Sequence, residues 1–316
     1  MSIGYDGIAT ITESYAMDIN AALRAFVRTV EKGSITGAAK DLSISQPAVT
    51  KHLRNLERHV NARLLERSNR AVRPTPQGLA LYETSRMALA SIEAALEGVR
   101  RETGEMQGTL RIFAPSCIGA QHLDRIVMEF QEENPLVCVD LVLDNRHVDL
   151  IHENFDLAIR YDRPENQGVI ARRIGLVRRV LVASPAYLKR AGPVDSVERL
   201  AELDIVTTLA FLSPRNTLTL HRGSETVEVP VRPKLRTNNA EVITRSLREG
   251  RGAGPVQTIL ISDDLAAGSL IQLLPEYSIR ATEMFLTFPS TRFMRPIVRA
   301  FTDFLVPRLK AIEGVD

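Results

Sequence analysis

The chain has 316 residues, 44% of them hydrophobic and 25% charged, a composition typical of globular proteins rather than disordered or fibrous ones. No uncharged apolar run reaches the ~18–20 residues that a membrane span needs, and the N-terminus lacks the pattern of a secretory signal. The presence of only two cysteines excludes a disulfide scaffold and a four-cysteine zinc site. We therefore expect a protein of the reducing cytoplasm with no membrane partner.

The positive charge is concentrated near the N-terminus. Residues 17–76 include eleven basic and five acidic residues, a net charge of +6, whereas the other 256 residues together carry −4. A small basic domain joined to a larger, mildly acidic one suggests a polyanionic partner at one end only. On charge alone, a basic surface without such a partner is an equal alternative.

The N-terminal pattern predicts three helices, of which the second and third are joined by a short turn. Residues 1–16 show no periodicity and are interpreted as a flexible extension or a misassigned start. From Asp18 an apolar i, i+3, i+4, i+7 pattern predicts a helix that ends at Gly33. Ser34 is predicted to cap a short second helix, and Ser45 to cap a third with proline in its first turn. When two helices are joined by a short turn, the later helix can enter the DNA major groove if its outer face is polar, and the third predicted helix has this position.

A β-wing and a long helix are predicted next. The segments 64–67 and 71–73 are interpreted as two short strands, so that residues 17–75 form a winged helix–turn–helix domain. Residues 76–104 are predicted to form a linker helix with an apolar stripe. The stripe consists of Leu81, Ser85, Ala88, Leu89, Ile92, Ala95, Leu96 and Val99. This spacing favours a seam between helices of two chains, and packing on the helix's own domain is the alternative.

From residue 108 to residue 308 strands alternate with helices, which is typical of an α/β domain with parallel sheets. A short helix is predicted over residues 148–153. We expect one lobe to comprise residues 108–178 and 282–308, and a second lobe residues 179–281. Two such lobes form a cleft, and clefts hold small molecules.

The polar face of the third predicted helix carries side chains that read DNA. Gln pairs with adenine, Lys or Arg with guanine, and Thr with phosphate or a thymine methyl group. Taken singly, each residue is more typical of a solvated surface charge, but their clustering on one face, which also carries Arg58, favours DNA contact. Arginines of the wing suit the minor groove or the backbone. The predicted DNA contacts are Thr36, Ser45, Gln46, Pro47, Thr50, Lys51, Arg54, Arg67, Arg70 and Arg73.

Longer motifs run through both parts of the chain. In the basic domain they are Ala38-Ala39, Ser45-Gln46-Pro47-Ala48-Val49, Leu53 with Leu56-Glu57, Leu64-Leu65-Glu66-Arg67 and Thr75-Pro76-Gln77-Gly78. This stretch resembles the winged helix–turn–helix of LysR-type transcriptional regulators. The segments GTLRIFAPSCIG, DNRHVDLIHENFDLAIRYD, ARRIG and VLVASPAYL are similar to the effector-binding domain of the CrgA-like branch of that family.

The resemblance implies an architecture and a set of partners. The fold would be a winged helix–turn–helix, a long dimerising linker helix and a two-lobed, periplasmic-binding-protein-like α/β effector domain. The partners would be double-stranded DNA, a small-molecule effector, RNA polymerase and further copies of the chain in a homodimer or homotetramer.

Candidate effector contacts lie after predicted strands. Ser116 follows the first strand of the α/β domain and opens a helix, where its hydroxyl and backbone donors suit a ligand carboxylate, unless it is only a helix cap. Asn145 follows the second strand and would reach the cleft or lie in a solvated turn. The family resemblance adds the two threonines and the hinge asparagine, and the phenylalanine would cover an apolar tail. The predicted effector site comprises Ser116, Cys117, Asn145, Thr207, Thr208, Phe211 and Asn238.

The sequence does not favour catalysis. The six histidines are scattered, and no phosphate-binding glycine loop is present, so we expect no enzyme, no cofactor and no metal. One alternative is a redox sensor, in which Cys117 at a helix N-terminus has a lowered thiol pKa while Cys138 is an inert core residue. Another is a solute-binding protein, which would use the same cleft but predicts a signal peptide and no basic helix–turn–helix.

Overall fold

In a computed structural model the described residues are 18–67, 72–102, 106–161, 163, 168–208, 211–289 and 294–316. The predicted N-terminal extension and the tip of the wing lie outside them. The chain divides into two compact units at residues 93 and 94, and each is described by itself. In the described ranges, none of the helices combines the length and apolar character that a membrane span requires.

The first unit contains the predicted helices and wing strands. They are α1 (Ile19–Lys32), α2 (Ile35–Asp41), α3 (Gln46–His59), β1 (Leu65–Arg67), β2 (Val72–Pro74) and α4 (Pro76–Glu102), whose C-terminal end extends beyond this unit. The predicted caps are confirmed, because Ser34 and Ser45 each accept a hydrogen bond from the backbone N–H three residues later. Gly33 ends α1 with a φ of 61°, in the left-handed region that favours glycine.

The core of the first unit is shared between the three short helices and the start of α4. Phe26, Leu53, Leu56 and Tyr82 are all fully buried there. The beginning of α4 passes so close to the wing that a Cβ atom on Gly78 would lie 1.9 Å from the carbonyl oxygen of Leu64. Glycine at this position therefore allows the observed packing.

The apolar stripe of α4 divides into two halves. Ser85 and Leu89 of the stripe and the neighbouring Tyr82 are buried, in line with the alternative that this part of the helix packs on its own domain. Further along, Ile92 is 43%, Leu96 53% and Val99 65% exposed. Only the second half of the stripe therefore remains available for a seam between chains.

The second unit is built from short strands and helices. Its strands are β3 (Gln107–Ala114), β4 (Leu136–Leu143), β5 (Leu157–Arg160), β6 (Val169–Val177), β7 (Arg179–Ala183), β8 (Asp204–Thr208), β9 (Thr217–Arg222), β10 (Glu225–Pro230), β11 (Arg232–Thr237), β12 (Ala253–Gln257), β13 (Ile271–Gln272) and β14 (Thr282–Pro289). Its helices are α5 (Ser116–Ile118), α6 (Asp124–Glu133), α7 (Pro185–Ala191), α8 (Val197–Ala201), α9 (Ala240–Arg248), α10 (Ser262–Ala267) and α11 (Pro296–Lys310). A π-helical turn, Gly119–Leu123, joins α5 to α6.

Two five-stranded sheets form the two lobes, in the orders β4-β3-β5-β14-β6 and β11-β8-β12-β7-β13. The prediction of parallel sheets is wrong for part of each sheet. β14 runs antiparallel to β5 and β6, and β12 runs antiparallel to β7. The reason is the double crossing between lobes: β6 leaves the first lobe towards the second, and β14 returns from it in the opposite direction.

Two other local predictions also differ from the structure. Residues 148–153 form turns and no helix. The Asp149 carboxylate caps a single turn by accepting the N–H groups of Ile151 and His152, and Asn154, with a φ of 61°, ends that turn before a helix can continue. The strand β6 and the hairpin β9–β10 were not predicted as paired strands. The first half of β6 is largely exposed and lacks the alternation that marks a half-buried strand.

Candidate DNA interface and ligand cleft

The orientation of α3 follows from its apolar face. Val49, Leu53 and Leu56 are buried at i, i+4 and i+7, so the opposite face of the helix points to solvent. Pro47 in the first turn has no N–H group to leave unsatisfied. The sequence thus fixes which side chains α3 presents.

The solvent face of α3 carries a shallow concavity of about 560 Å³. We call its lining residues the α3 surface: Gln46, Pro47, Thr50, Lys51, Arg54, Asn55 and Arg58. All but Asn55 were placed on this helix face or at its start by the sequence. Asn55 was missed, although it stands four residues after Lys51 and so shares its face.

The basic residues of the first unit fall into two groups. On α1, Arg28 lies 2.8 Å from the carboxylate of Glu31, and Lys32 lies 2.8 Å from that of Asp41. Within the described residues, the lysine and two arginines of the α3 surface have no such ion-pair partner, and all three are exposed. Positive charge that the protein itself does not neutralise is therefore gathered on one face.

Two predicted hydroxyl contacts are already engaged in the helix. Ser45 Oγ accepts the N–H of Ala48 at 3.3 Å, and Thr50 Oγ1 donates to the carbonyl oxygen of Gln46 at 3.0 Å. A hydroxyl oxygen accepts as well as donates, so each keeps capacity for a further partner.

The remaining predicted contacts lie outside α3. Thr36 on α2 and Arg73 on β2 are exposed. Arg70 and the side chain of Arg67 lie outside the described residues. For the wing arginines, the described residues therefore give only the backbone position of Arg67 in β1 and the exposed position of Arg73 in β2.

The wing is anchored by side chains of neighbouring elements. Glu57 on α3 accepts the N–H groups of Leu64 and Leu65 at 2.9 and 3.3 Å. Thr75 Oγ1, at the start of α4, donates to the carbonyl oxygen of Arg63 at 2.8 Å. These bonds hold β1 close to α3, so both can meet one ligand surface.

A cavity of about 930 Å³, the interlobe cleft, lies between the two sheets of the second unit. It is lined by Asn145, Tyr161, Arg163, Leu176, Arg179, Thr208, Phe211, Thr219, Asn238, Gln257, Ile279, Arg280, Ala281, Thr282 and Glu283. The carboxyl ends of β8 and β12 open onto it, as ligand sites in α/β proteins commonly require. Four of the seven predicted effector residues are among the lining: Asn145, Thr208, Phe211 and Asn238.

The two adjacent threonines of β8 differ in orientation. Thr208 lines the cleft, whereas Thr207 is fully buried, and its hydroxyl has no hydrogen-bond partner among the described residues. Successive strand residues face opposite sides of a sheet, so only one of the pair reaches the cleft.

Ser116 is not part of the lining, but it is connected to it through its backbone. Its N–H donates to Oδ1 of Asn145 at 3.2 Å, and Nδ2 of Asn145 donates to the carbonyl oxygen of Asn238 at 3.0 Å. Asn238 follows the last residue of β11 in the second lobe. Asn145 therefore bridges the two lobes at the edge of the cleft.

Cys117 lies behind the cleft wall. Its Sγ is 3.3 Å from the hydroxyl of Tyr161 and 3.9 Å from Oε1 of Gln257. Burial raises the pKa of the Cys117 thiol and outweighs the opposing hydrogen bond from Tyr161. The predicted lowering of this pKa is therefore wrong. The prediction for Cys138 is also wrong, because it is exposed on the edge strand β4.

Sequence reasoning missed several polar residues of the cleft, chiefly Arg179 and Gln257. Arg179 opens β7 and Gln257 ends β12, and the two are register partners in the antiparallel pair. The sequence did contain one signal for Arg179. The predicted lobe boundary falls at residue 179, and a residue where the chain crosses between lobes lies beside the cleft.

A second cavity, of about 790 Å³, lies in the first lobe and adjoins the cleft at Asn145, Tyr161 and Arg163. Within it Arg160 donates to the carbonyl oxygen of Val148, and its Nε has no hydrogen-bond partner among the described residues. Burial lowers the pKa of Arg160.

Comparison with known protein families matches both units. Residues 21–79 match the family "Bacterial regulatory helix-turn-helix protein, lysR family". Residues 103–310 match the family "LysR substrate binding domain".

Individual proteins are similar along almost the whole chain. The HTH-type transcriptional regulator PtxR of Pseudomonas aeruginosa is 31% identical over 283 residues, covering 90% of this chain and 90% of that protein. The full-length structure of AphB, a virulence activator of Vibrio cholerae, is 26% identical, covers 91% of this chain and 98% of its own, and has a TM-score of 0.58. The structure of CrgA from Neisseria meningitidis is 25% identical, covers 92% and 98%, and has a TM-score of 0.59.

Proposed function

The chain belongs to the LysR family of transcriptional regulators, and from this premise we propose that it binds promoter DNA through the α3 surface under control of a small molecule in the interlobe cleft. Its DNA-binding and effector-binding domains are those of the family. The contacts, the oligomer and the mode of control are proposals for this chain.

The unpaired cations of the α3 surface are the observation that carries the proposal. Lys51, Arg54 and Arg58 are exposed, while cations on α1 are paired with carboxylates of the same domain. Phosphates neutralise such a surface and release counterions, which makes binding favourable and dependent on salt.

Base readout is proposed for the solvent-facing side of α3. Gln46 would pair with adenine, and Lys51 and Arg54 with guanine, because these side chains match the hydrogen-bonding edges of those bases. Thr36, Pro47 and the cap at Ser45 would contact the backbone beside the recognition helix, where the helix N-terminus favours phosphate. The wing arginines Arg67, Arg70 and Arg73, and Thr50 on α3, complete the proposed set.

The exposed half of the α4 stripe supports assembly of two or four copies. Ile92, Leu96 and Val99 follow one another at i, i+4 and i+7, so they form one apolar strip on the helix. Pairing of two such strips would hold two recognition helices over the halves of a roughly palindromic site, whose spacing reflects the symmetry of the dimer.

The effector would act by favouring one arrangement of the two lobes. A ligand that contacts both walls of the cleft binds the closed lobes better than the open ones, and its influence equals that difference in affinity. The altered lobes would change the geometry of the DNA-bound assembly and its contact with RNA polymerase in the cytoplasm.

Footprinting on the DNA that flanks the protein's own gene tests the proposal. We expect two protected half-sites on one face of the duplex, about one helical turn or a multiple of it apart. The triple variant Lys51→Ala, Arg54→Ala, Arg58→Ala should protect neither half-site, while Arg28→Lys on α1 should protect both. Protection by the triple variant equal to that of the wild type would reject the α3 surface as the interface.

A further inference from the structure

One guanidinium group of the cleft is enclosed by its surroundings. Arg179 stands at the first crossing between the lobes, and its guanidinium carbon lies 4.6 Å from the ring centroid of Phe211. The side chain is partly buried, and burial lowers its pKa from the usual range. The ring covers one face of the guanidinium, and the N–H edge remains for a partner in the plane.

The described residues offer this cation no carboxylate. The Arg179 guanidinium makes no hydrogen bond and no ion pair with them. The titratable groups that act on it electrostatically are the Tyr161 hydroxyl and the Cys117 thiol, both kept neutral at neutral pH because burial raises their pKa. The carboxylate of Glu283 also lines the cleft, but it is exposed and lies 2.9 Å from Arg173.

Apart from Glu283, the other charges of the described lining are also positive. Arg163 and Arg280 are exposed residues of the cleft and lack ion-pair partners among the described residues. A partly desolvated cation without a counter-charge is unfavourable, so the binding of an anion would stabilise this arrangement.

We propose that the interlobe cleft takes a small organic carboxylate, whose charged group lies against the N–H edge of Arg179 while Phe211 supports the guanidinium from behind. The inference rests on the proposed function, because it names the class of effector for the same cleft. It replaces the Ser116 hydroxyl, which the sequence favoured as the anion contact, with a charged side chain.

The neighbours of Arg179 favour a carboxylate over a phosphate. Gln257 and Thr208 supply neutral donors beside it, and Leu176 and Ile279 supply apolar surface for the rest of the molecule. A phosphate group carries about two charges and three strong acceptor oxygens. Arg179 is enclosed, whereas Arg163 and Arg280 of the described lining are exposed and remain hydrated, so the site matches one negative charge better.

Thermal denaturation of the full chain tests the inference with acetate, benzoate and succinate at millimolar concentration, each beside its uncharged amide. At least one carboxylate should raise the Tm of the wild type while its amide does not. Arg179→Gln should weaken that carboxylate's binding by about 10- to 100-fold, the effect of losing a hydrogen-bonded charge. Arg179→Lys should retain part of the affinity, because it keeps the charge but loses the planar fork.

The matched control is Arg222→Gln. Arg222 also lies over an aromatic ring, that of Tyr277 at 5.0 Å, but it is exposed, paired with Glu225 and outside the cleft lining. This variant should bind the carboxylate as the wild type does. In the absence of ligand, Arg179→Gln should raise the Tm, because it removes an uncompensated charge, whereas Arg222→Gln should not.

The inference is overturned if no carboxylate stabilises the wild type more than its amide, or if Arg179→Gln retains full carboxylate affinity. A lower Tm of ligand-free Arg179→Gln would also count against it, because it would mark the arginine as structural. Specific DNA binding is measured on the same samples. A wild type that binds carboxylate but no specific DNA would reject the proposed function and leave this inference standing.

Discussion

The α3 surface and the interlobe cleft both present cations that have no carboxylate partner among the described residues, but they do so in different environments. Lys51, Arg54 and Arg58 are exposed and keep their hydration, while Arg179 is partly desolvated beneath the ring of Phe211. Exposed charges in a row gain little from one small anion and much from a polyanion that meets several of them together. An enclosed charge gains most from a single matched group, so the two regions suit different classes of ligand.

This difference also separates the expected consequences of mutation. Removing an exposed cation leaves the fold unaltered and changes only the encounter with DNA. Removing the enclosed cation changes the stability of the protein itself, because its desolvation is already part of the folded state. Variants of the two regions should therefore be distinguishable without knowledge of the natural effector.

The largest effect is expected from Ile92→Asp, which tests whether the α3 surface acts in pairs. A carboxylate in an apolar seam should yield monomers, and operator affinity should fall about 100-fold or more because two half-sites no longer act together. Met87→Asp is the control: Met87 is also 43% exposed but lies on another side of α4. Analytical ultracentrifugation checks the assembly, and an Ile92→Asp protein that sediments like the wild type would contradict the seam.

Arg54→Ala should show the next largest effect and tests readout by the α3 surface. The loss should be about 1–3 kcal/mol at the specific site, with relaxed preference at one base position. Lys40→Ala, an exposed cation on α2, should weaken all duplexes slightly and equally. Titration of selected and random DNA by gel shift measures both, and equal losses on the two DNAs for Arg54→Ala would show that it is not a reader.

Asn145→Ala tests the bridge across the cleft. It removes hydrogen bonds to the Ser116 N–H and the Asn238 carbonyl, each worth about 0.5–1.5 kcal/mol. Hydrogen exchange of the Ser116 amide should become faster, while amides of α3 should exchange as before. Unchanged protection at Ser116 would indicate that the bridge is not formed in solution.

The smallest effect is expected from chemical modification of the cysteines. Burial raises the pKa of the Cys117 thiol, so its thiolate fraction at neutral pH is below that of an ordinary cysteine and rises only at more alkaline pH. Iodoacetamide should therefore modify the exposed Cys138 first, as measured by mass spectrometry on the single variants Cys117→Ser and Cys138→Ser. Faster labelling of Cys117 at neutral pH would restore the case for a redox sensor.

Elements governed by local signals were predictable from the sequence. The caps at Ser34 and Ser45 and the glycine that ends α1 follow from the chemistry of single turns, so the helix–turn–helix and the side chains on α3 were assigned before the structure. The β-wing followed from its two short strands.

Features that depend on distant parts of the chain were not predictable in the same way. The direction of β14 is set by the return from the second lobe, and the burial of Ser85 and Leu89 by the rest of their domain. Asn145 was predicted at the cleft because it follows a strand, and Thr208 because of the family resemblance. Arg179 was missed, since nothing near it in sequence shows that Phe211 will cover it and that no carboxylate of the described residues will pair with it.

The salt dependence of operator binding tests the division between the two regions most directly. A plot of the logarithm of affinity against the logarithm of salt concentration should be linear for the wild type. The triple variant of Lys51, Arg54 and Arg58 should have a shallower slope, by about 0.9 for each of these cations that contacts phosphate rather than a base, Arg58 at least. Arg179→Gln should have the slope of the wild type, because an enclosed cleft residue makes no phosphate contact. Equal slopes for the wild type and the triple variant, or a shallower slope for Arg179→Gln, would contradict the account.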